Sequence, residues 1–155
     1  MKKMIYCDLD GVLADFNGTF KRLTGCHPRE LERPQLWQIV KGMPLYWGIL
    51  DMMPDATDLI SFLNTHSYQI LTGLPVDGYQ KAEKEKREWV EKYIHPDLPV
   101  ICCLSKDKAV YCNKGDILID DYQPNITRWE KAGGIGILHK DAQTTIARLN
   151  ELGFK

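Results

Sequence analysis

Met4-Ile5-Tyr6-Cys7-Asp8-Leu9-Asp10-Gly11-Val12-Leu13-Ala14-Asp15-Phe16 decides how the rest of the chain is read. Its apolar beginning, after two lysines, has the length of a short buried strand, and it stops at two carboxylates one residue apart, followed by Gly11. Asp8 and Asp10 placed together concentrate negative charge, which is costly unless a cation or a shared proton offsets it. A hard divalent metal suits that arrangement. Asp and Gly also build ordinary turns, so the stretch taken alone admits both readings.

Outward from it, short apolar runs alternate with helical patterns. Phe16, Phe20 and Leu23 predict a helix over 14–23, ended by Gly25 and Pro28. Residues 26–54 then change character, with several prolines, weak periodicity and the aromatics Trp37, Tyr46 and Trp47, which predicts a small helical lobe over the carboxylates. Further helices are expected over 55–64, with Asp55 at the N-cap, and over 79–93, 124–132 and 142–152. Strands are expected at 68–71, ending at Thr72-Gly73, and at 99–104, 117–119 and 135–138. The helix over 79–93 is dense in Lys and Glu of alternating sign and reads as a solvated face resting on Trp89, Val90 and Tyr93.

Alternating short strands and helices imply an α/β, Rossmann-like, three-layer fold with a parallel sheet of about five strands. The expected organisation is one domain over 1–155, with a core of 1–24 and 55–155 and a small helical cap inserted at 25–54 after the first strand. Ligands of such sheets bind beyond the carboxyl ends of the strands. That edge would gather Asp8, Asp10, Thr72, Gly73, Asp120 and Asp121, which are more than a hundred positions apart at the extremes. Four carboxylates in one place suit magnesium, which prefers oxygen ligands, and the metal would offset the charge of a phosphate beside a carboxylate nucleophile. Thr72 offers a hydroxyl and Gly73 close backbone approach, while Lys106, Lys108 and Lys114 are candidates to meet a phosphate oxygen.

Composition narrows the partners. At 155 residues, 44% hydrophobic and 26% charged, the chain has the makeup of a single globular domain. A net charge of -1, from 20 basic and 21 acidic residues, argues against duplex nucleic acid or an anionic membrane and leaves a small anionic ligand. Neither a membrane span nor a signal peptide is visible, so a cytoplasmic setting is expected, and a homodimer is an admissible assembly. Five cysteines without a Cys-x-x-Cys pair are expected to be reduced and mostly buried, and the four histidines are too dispersed for a zinc site. Gly133-Gly134-Ile135-Gly136 precedes a strand and so does not form a dinucleotide fingerprint.

Asp8-Leu9-Asp10-Gly11-Val12, Leu71-Thr72-Gly73, Asp107-Lys108 and Ile117-Leu118-Ile119-Asp120-Asp121 resemble the four motifs of the haloacid dehalogenase superfamily of phosphohydrolases. Within it, the stretch from Asp8 to Phe16 and Ile119-Asp120-Asp121 are most similar to the 5'(3')-deoxyribonucleotidase family. The resemblance implies Mg2+-dependent dephosphorylation of nucleoside monophosphates. It makes Asp8 the nucleophile that forms an aspartyl-phosphate and Asp10 the general acid and base. Asp8, the backbone carbonyl of Asp10 and Asp121 would hold the metal, with Asp120 in support. Thr72, Gly73 and Lys108 would bind phosphate, and Phe16, Tyr46 and Trp47 the nucleoside. Two departures stand out: Gly73 replaces the family's serine, and the spacing from Lys108 to Asp120 is slightly long. Hydrolysis of a sugar phosphate or another small phosphomonoester, and phosphate binding without turnover, are the competing readings.

Overall fold

A computed structural model describes residues 2–155. The strands are β1 (Ile5–Cys7), β2 (Ala14–Asp15), β3 (Asp51–Met52), β4 (Tyr68–Leu74), β5 (Val100–Leu104), β6 (Ile117–Asp120) and β7 (Ile135–Leu138). The helices are α1 (Phe16–Thr24), α2 (Arg33–Gly42), α3 (Ala56–Leu63), α4 (Tyr79–Tyr93), α5 (Gln123–Lys131) and α6 (Ala142–Glu151). β1, β4, β5, β6 and β7 form the expected parallel sheet, in the order β5-β4-β1-β6-β7. β1 lies at its centre, and successive connections run to one side through β4 and β5 and then to the other through β6 and β7. The strand order therefore reverses beside β1, where open α/β sheets place their ligands.

Side-chain alternation gives the sheet two cores. Ile5, Cys7, Ile70, Ile117 and Ile119 join the larger one, with Leu59 and Leu63 of α3, Leu149 of α6 and Trp89 of α4. Tyr6, Leu71 and Leu118 face the opposite way onto Ile126 and Trp129 of α5. Trp129 is fully buried, packs edge-on to Tyr6 at 5.2 Å between centroids, and donates its indole N–H to the Asp116 carbonyl at 2.9 Å.

Between β1 and α3 the chain makes an excursion. A tight turn, in which the Leu9 carbonyl accepts N–H bonds from Leu13 and Ala14 at 2.9 Å each, leads into β2, which pairs antiparallel with β3. That two-stranded ribbon is the doorway through which residues 16–50 leave the sheet and return. They hold α1, α2 and two short 3-10 turns, Pro28–Glu30 and Tyr46–Ile49. α1 begins at Phe16, two residues later than the periodicity suggests, because the Asp15 carboxylate caps it by accepting the Gly18 N–H at 2.9 Å.

Several expectations are corrected by tertiary contacts. Asp55 holds the N-cap position of α3 as expected, but its side chain makes no capping bond there; the carboxylate accepts the Ala142 N–H at the start of α6, at 2.6 Å. β4 does not stop at Leu71 but runs to Leu74, so Thr72 and Gly73 lie inside the strand, paired with Cys102 and Cys103 of β5. The five cysteines are free thiols, but only Cys7 is buried and the other four are half-buried. No helix among the described residues is long and apolar enough to cross a membrane.

Because Trp129 fills the space between α5 and the sheet and satisfies the Asp116 carbonyl, Trp129→Ala is expected to cost about 3–5 kcal/mol. Urea unfolding of the two proteins measures it; a loss below about 1 kcal/mol would show that α5 is held by other means.

Candidate active site

β1 and β6, neighbours at the reversal of strand order, deliver the carboxylates. Asp8 follows β1 directly, its N–H bonded to the Ile119 carbonyl at 2.8 Å, and Asp120 closes β6 with Asp121 after it. Each of Asp8, Asp120 and Asp121 offers an oxygen within 4.8 Å of the other two. Between them, from the 3-10 segment Ser105–Tyr111, comes Lys108. Its ammonium donates to Asp8 Oδ1 and to Asp120 Oδ2, both at 2.8 Å, and the side chain is almost wholly buried. Asp120 is fixed further by the Asn125 Nδ2 at 3.0 Å and the Tyr122 N–H at 2.9 Å.

One lysine does not neutralise three carboxylates. Burial, and after it the neighbouring Asp120, push the Asp8 carboxyl well above its ordinary range, against the pull of Lys108. Asp121 is pushed up to about 6 by the same two causes. Burial alone would lower Lys108, but Asp8 and Asp120 outweigh it and hold the ammonium protonated. The oxygens of Asp8, Asp120 and Asp121 thus form a hard donor set with excess negative charge, which fits a divalent ion such as magnesium. Gly11 makes room for it: at φ +83°, a Cβ on this residue would sit 2.0 Å from Asp121 Oδ2.

Asp10 is held apart from that trio. Its Oδ2 accepts from Lys86 of α4 at 2.6 Å, while its Oδ1 is buried without a hydrogen-bond partner. Lys86 is itself fully buried, donates to the Thr72 hydroxyl at 3.0 Å, and lies 4.4 Å from the centre of the Trp47 ring. The expectation that the charges of α4 form a solvated face therefore fails at Lys86. Nothing in the alternating Lys and Glu of this helix distinguishes it; its position between Ala82 and Trp89, both buried, is the only local signal.

The carboxylates open into a cavity of about 600 Å³ lined by Asp8, Asp10, Asp120, Asp121 and Lys108. Of the other expected residues, Gly73, Phe16, Trp47 and Lys106 line it, whereas Thr72, Tyr46 and Lys114 do not. Thr72 is fully buried behind Lys86. Tyr46 is fully buried, with its hydroxyl donating to the Phe16 carbonyl at 2.8 Å, so it props the wall that Phe16 and Trp47 present. Trp37 of α2, named among the aromatics of the lobe but given no binding role from the sequence, completes this wall, stacked on Trp47 at 6.3 Å between centroids. Ser105 lies beside Gly73: a Cβ at Gly73 would stand 3.2 Å from the Ser105 Cβ, so a serine there would crowd it.

No family model matches the chain. It is 30% identical over 149 residues to the mitochondrial 5'(3')-deoxyribonucleotidase of Homo sapiens, covering 79% of this chain and 63% of that protein. The cytosolic-type 5'(3')-deoxyribonucleotidase of Homo sapiens is 29% identical over 141 residues, with 76% and 69% covered. The chain thus spans under two thirds of the length of the first relative. Among solved structures, a HAD phosphatase from Thermococcus onnurineus superposes with a TM-score of 0.55 at 11% identity, covering 99% of each chain. L-2-haloacid dehalogenase from Xanthobacter autotrophicus superposes with a TM-score of 0.54 at 9% identity, covering all of this chain and 85% of that one. At these identities the structural likeness shows the fold alone, and the sequence likeness is to proteins named 5'(3')-deoxyribonucleotidase.

Two outcomes follow from the donor set. A carboxyl raised in the folded state binds its proton more tightly there, so its contribution to stability is present at low pH and is lost as pH rises through the folded value, about 6 for Asp121. Mg2+ competes with those protons, and the rise in Tm that it produces should be larger at pH 8 than at pH 5. Gly11→Ala should lose most of that Mg2+-induced rise, because its Cβ displaces Asp121. Thermal melts with and without Mg2+ read both effects, and an undiminished rise in Gly11→Ala would remove Asp121 from the metal site.

Proposed function

From a chain that has the haloacid dehalogenase fold and is similar in sequence to the 5'(3')-deoxyribonucleotidases, we propose a phosphomonoester hydrolase acting on nucleoside monophosphates, with Mg2+ as cofactor. The observation that carries this reading is the separation of two like side chains into two environments. Asp8 pairs with Lys108 among the metal-type carboxylates, and Asp10 pairs with Lys86 outside them. Carboxylates placed so close and held so differently are suited to two roles.

Asp8 attacks phosphorus, forming a P–O bond as the ester P–O bond breaks, which leaves an aspartyl-phosphate. Asp10 gives its proton to the departing nucleoside oxygen and then takes one from the water that cleaves the aspartyl-phosphate. Lys108, protonated and aimed by Asp8 and Asp120, meets the phosphoryl oxygens, and Gly73 lets backbone approach them. Ser105 stands beside Gly73 on the cavity wall, and its hydroxyl, which donates to Asn125 Oδ1 at 3.1 Å, would have to turn from that bond to meet a phosphoryl oxygen. Asp8, the backbone carbonyl of Asp10 and Asp121 would hold Mg2+, with Asp120 behind them, and the ion would offset charge on the phosphoryl group. Lys86 fixes the direction of the Asp10 carboxylate.

The excursion of residues 16–50 acts in this reading as the cap, its inward face made of Phe16, Trp37 and Trp47 with Tyr46 behind. Flat aromatic faces at the mouth of a phosphate site suit a nucleobase. Gly73 in place of the family's serine favours a second reading, in which another small phosphomonoester such as a sugar phosphate enters the same machinery.

A panel of phosphomonoesters assayed with Mg2+ separates the two: nucleoside monophosphates should be turned over best, and a strong preference for sugar phosphates would replace the first reading with the second. Asp8→Asn is expected to lower kcat by about 10³-fold or more, and Asp10→Asn by about 10²–10⁴-fold. Activity unchanged in either variant would overturn the mechanism.

A further inference from the structure

The cavity has more positive charge at its mouth than a single phosphate uses. Deep inside, four carboxylates are set against Lys108 and Lys86, and a divalent ion held by them would complete the balance of formal charge. A monoester dianion entering there would be met by Arg33, Lys106 and Arg128, which line the outer part of the cavity.

None of these three pairs with a carboxylate among the described residues. That is unusual for the arginines of this chain: of six, Arg22, Arg87 and Arg148 hold carboxylates, and two of the remaining three, Arg33 and Arg128, line this cavity. Arg128 is also aimed. Its Nη1 donates to Asn125 Oδ1 at 3.1 Å, and Asn125 is buried, with its Nδ2 on Asp120 at 3.0 Å. The hydroxyl of Ser105, next to Lys106, donates to the same Asn125 oxygen at 3.1 Å. Arg128 is therefore tied to Asp120 through Asn125, and Lys106 adjoins Ser105, which is bonded to the same amide; both cations line the cavity together with Trp37 and Trp47.

The space matches the charge. A second chamber of about 860 Å³ opens off the first and shares Arg33, Trp37, Trp47 and Lys106 with it. Its own cations are engaged, Lys41 by Asp77 at 2.6 Å and Lys81 by the Met43 carbonyl at 2.8 Å and Glu85 at 4.0 Å. Of the unpaired cations, Arg33 and Lys106 lie at the seam of the two chambers and Arg128 lines the first.

We infer that the substrate carries a second phosphate, held by Arg128 and Lys106 while the first sits at Asp8, and that a nucleoside bisphosphate is its chemical class. This rests on the nucleotide phosphatase reading given above and extends its substrate from a nucleoside with one phosphate to a nucleoside with two. Charge-assisted hydrogen bonds to a second phosphate lower KM and leave kcat, because they are made equally in ground and transition states.

Steady-state kinetics with Mg2+, comparing a deoxynucleoside 5'-monophosphate with its 3',5'-bisphosphate, tests the inference. The bisphosphate should show a KM lower by about tenfold, a difference one charge-assisted contact can supply. The KM ratio should fall toward one in Arg128→Gln and in Lys106→Gln, and it should shrink as salt is raised. If Arg128→Gln does not fold, Lys106→Gln, at an exposed position, carries the same comparison. Equal KM values, or a preference that persists in the variants, overturn the second-phosphate site and leave the phosphatase standing. If neither compound is hydrolysed the phosphatase reading fails, and calorimetric binding to Asp8→Asn then decides the site. Tighter binding of the bisphosphate, lost in Lys106→Gln, supports it, and equal affinity overturns it.

Discussion

Repulsion among the carboxylates at the carboxyl edge of β1 and β6 is the constraint that the rest of the structure answers. Asp8, Asp120 and Asp121 offer oxygens within 4.8 Å of one another, and Asp8 and Asp120 are buried, where like charges interact strongly. Lys108 relieves part of that repulsion by bridging Asp8 and Asp120, and burial makes its charge count for more. The remainder calls for a divalent cation. Gly11, free of a Cβ at a positive φ, is what allows Asp121 to take its place in the set.

Asp10 shows how the fold separates neighbours in sequence. The tight turn after Leu9 carries it off the line of β1 and toward α4, where Lys86 binds it. Lys86 also touches the Thr72 hydroxyl and the Trp47 ring, so one buried ammonium joins the sheet, the helix and the excursion. The same helix anchors the returning leg of the excursion: Trp89 donates to the Leu50 carbonyl at 2.8 Å and Glu85 accepts the Gly48 N–H at 3.3 Å. The aromatic wall is therefore built on α4 as well as on the ribbon, and its distance from Asp10 is set by packing rather than by a flexible link.

The outer cavity follows a different logic. Its cations are exposed, solvent screens them, and each contributes little to folding. Their arrangement costs the protein little and is free to answer to the ligand. Asn125 connects the two regimes, since one side of its amide holds Asp120 and the other receives Arg128 and Ser105.

What the sequence determined by itself was whatever depends on local periodicity and on the chemistry of a strand end. Alternating apolar runs and helical patterns are enough for a parallel α/β sheet, and the convergence of Asp8 and Asp10 with Asp120 and Asp121 at one sheet edge is what points to a site. Lys108 was within reach because Asp107-Lys108 is a motif, and Asp120-Asp121 because they close an apolar run. Tertiary structure alone decided which charged residues of α4 are buried: Lys86 is chosen by Asp10, 76 positions away, and Glu85 by the Gly48 N–H. It also decided that Tyr46 turns inward while its neighbour Trp47 faces the cavity, that Trp37 joins that wall, and that Thr72 lies inside β4 behind Lys86. Periodicity reports which face of an element is apolar on average; burial of a particular polar group depends on a bond that only the folded chain supplies.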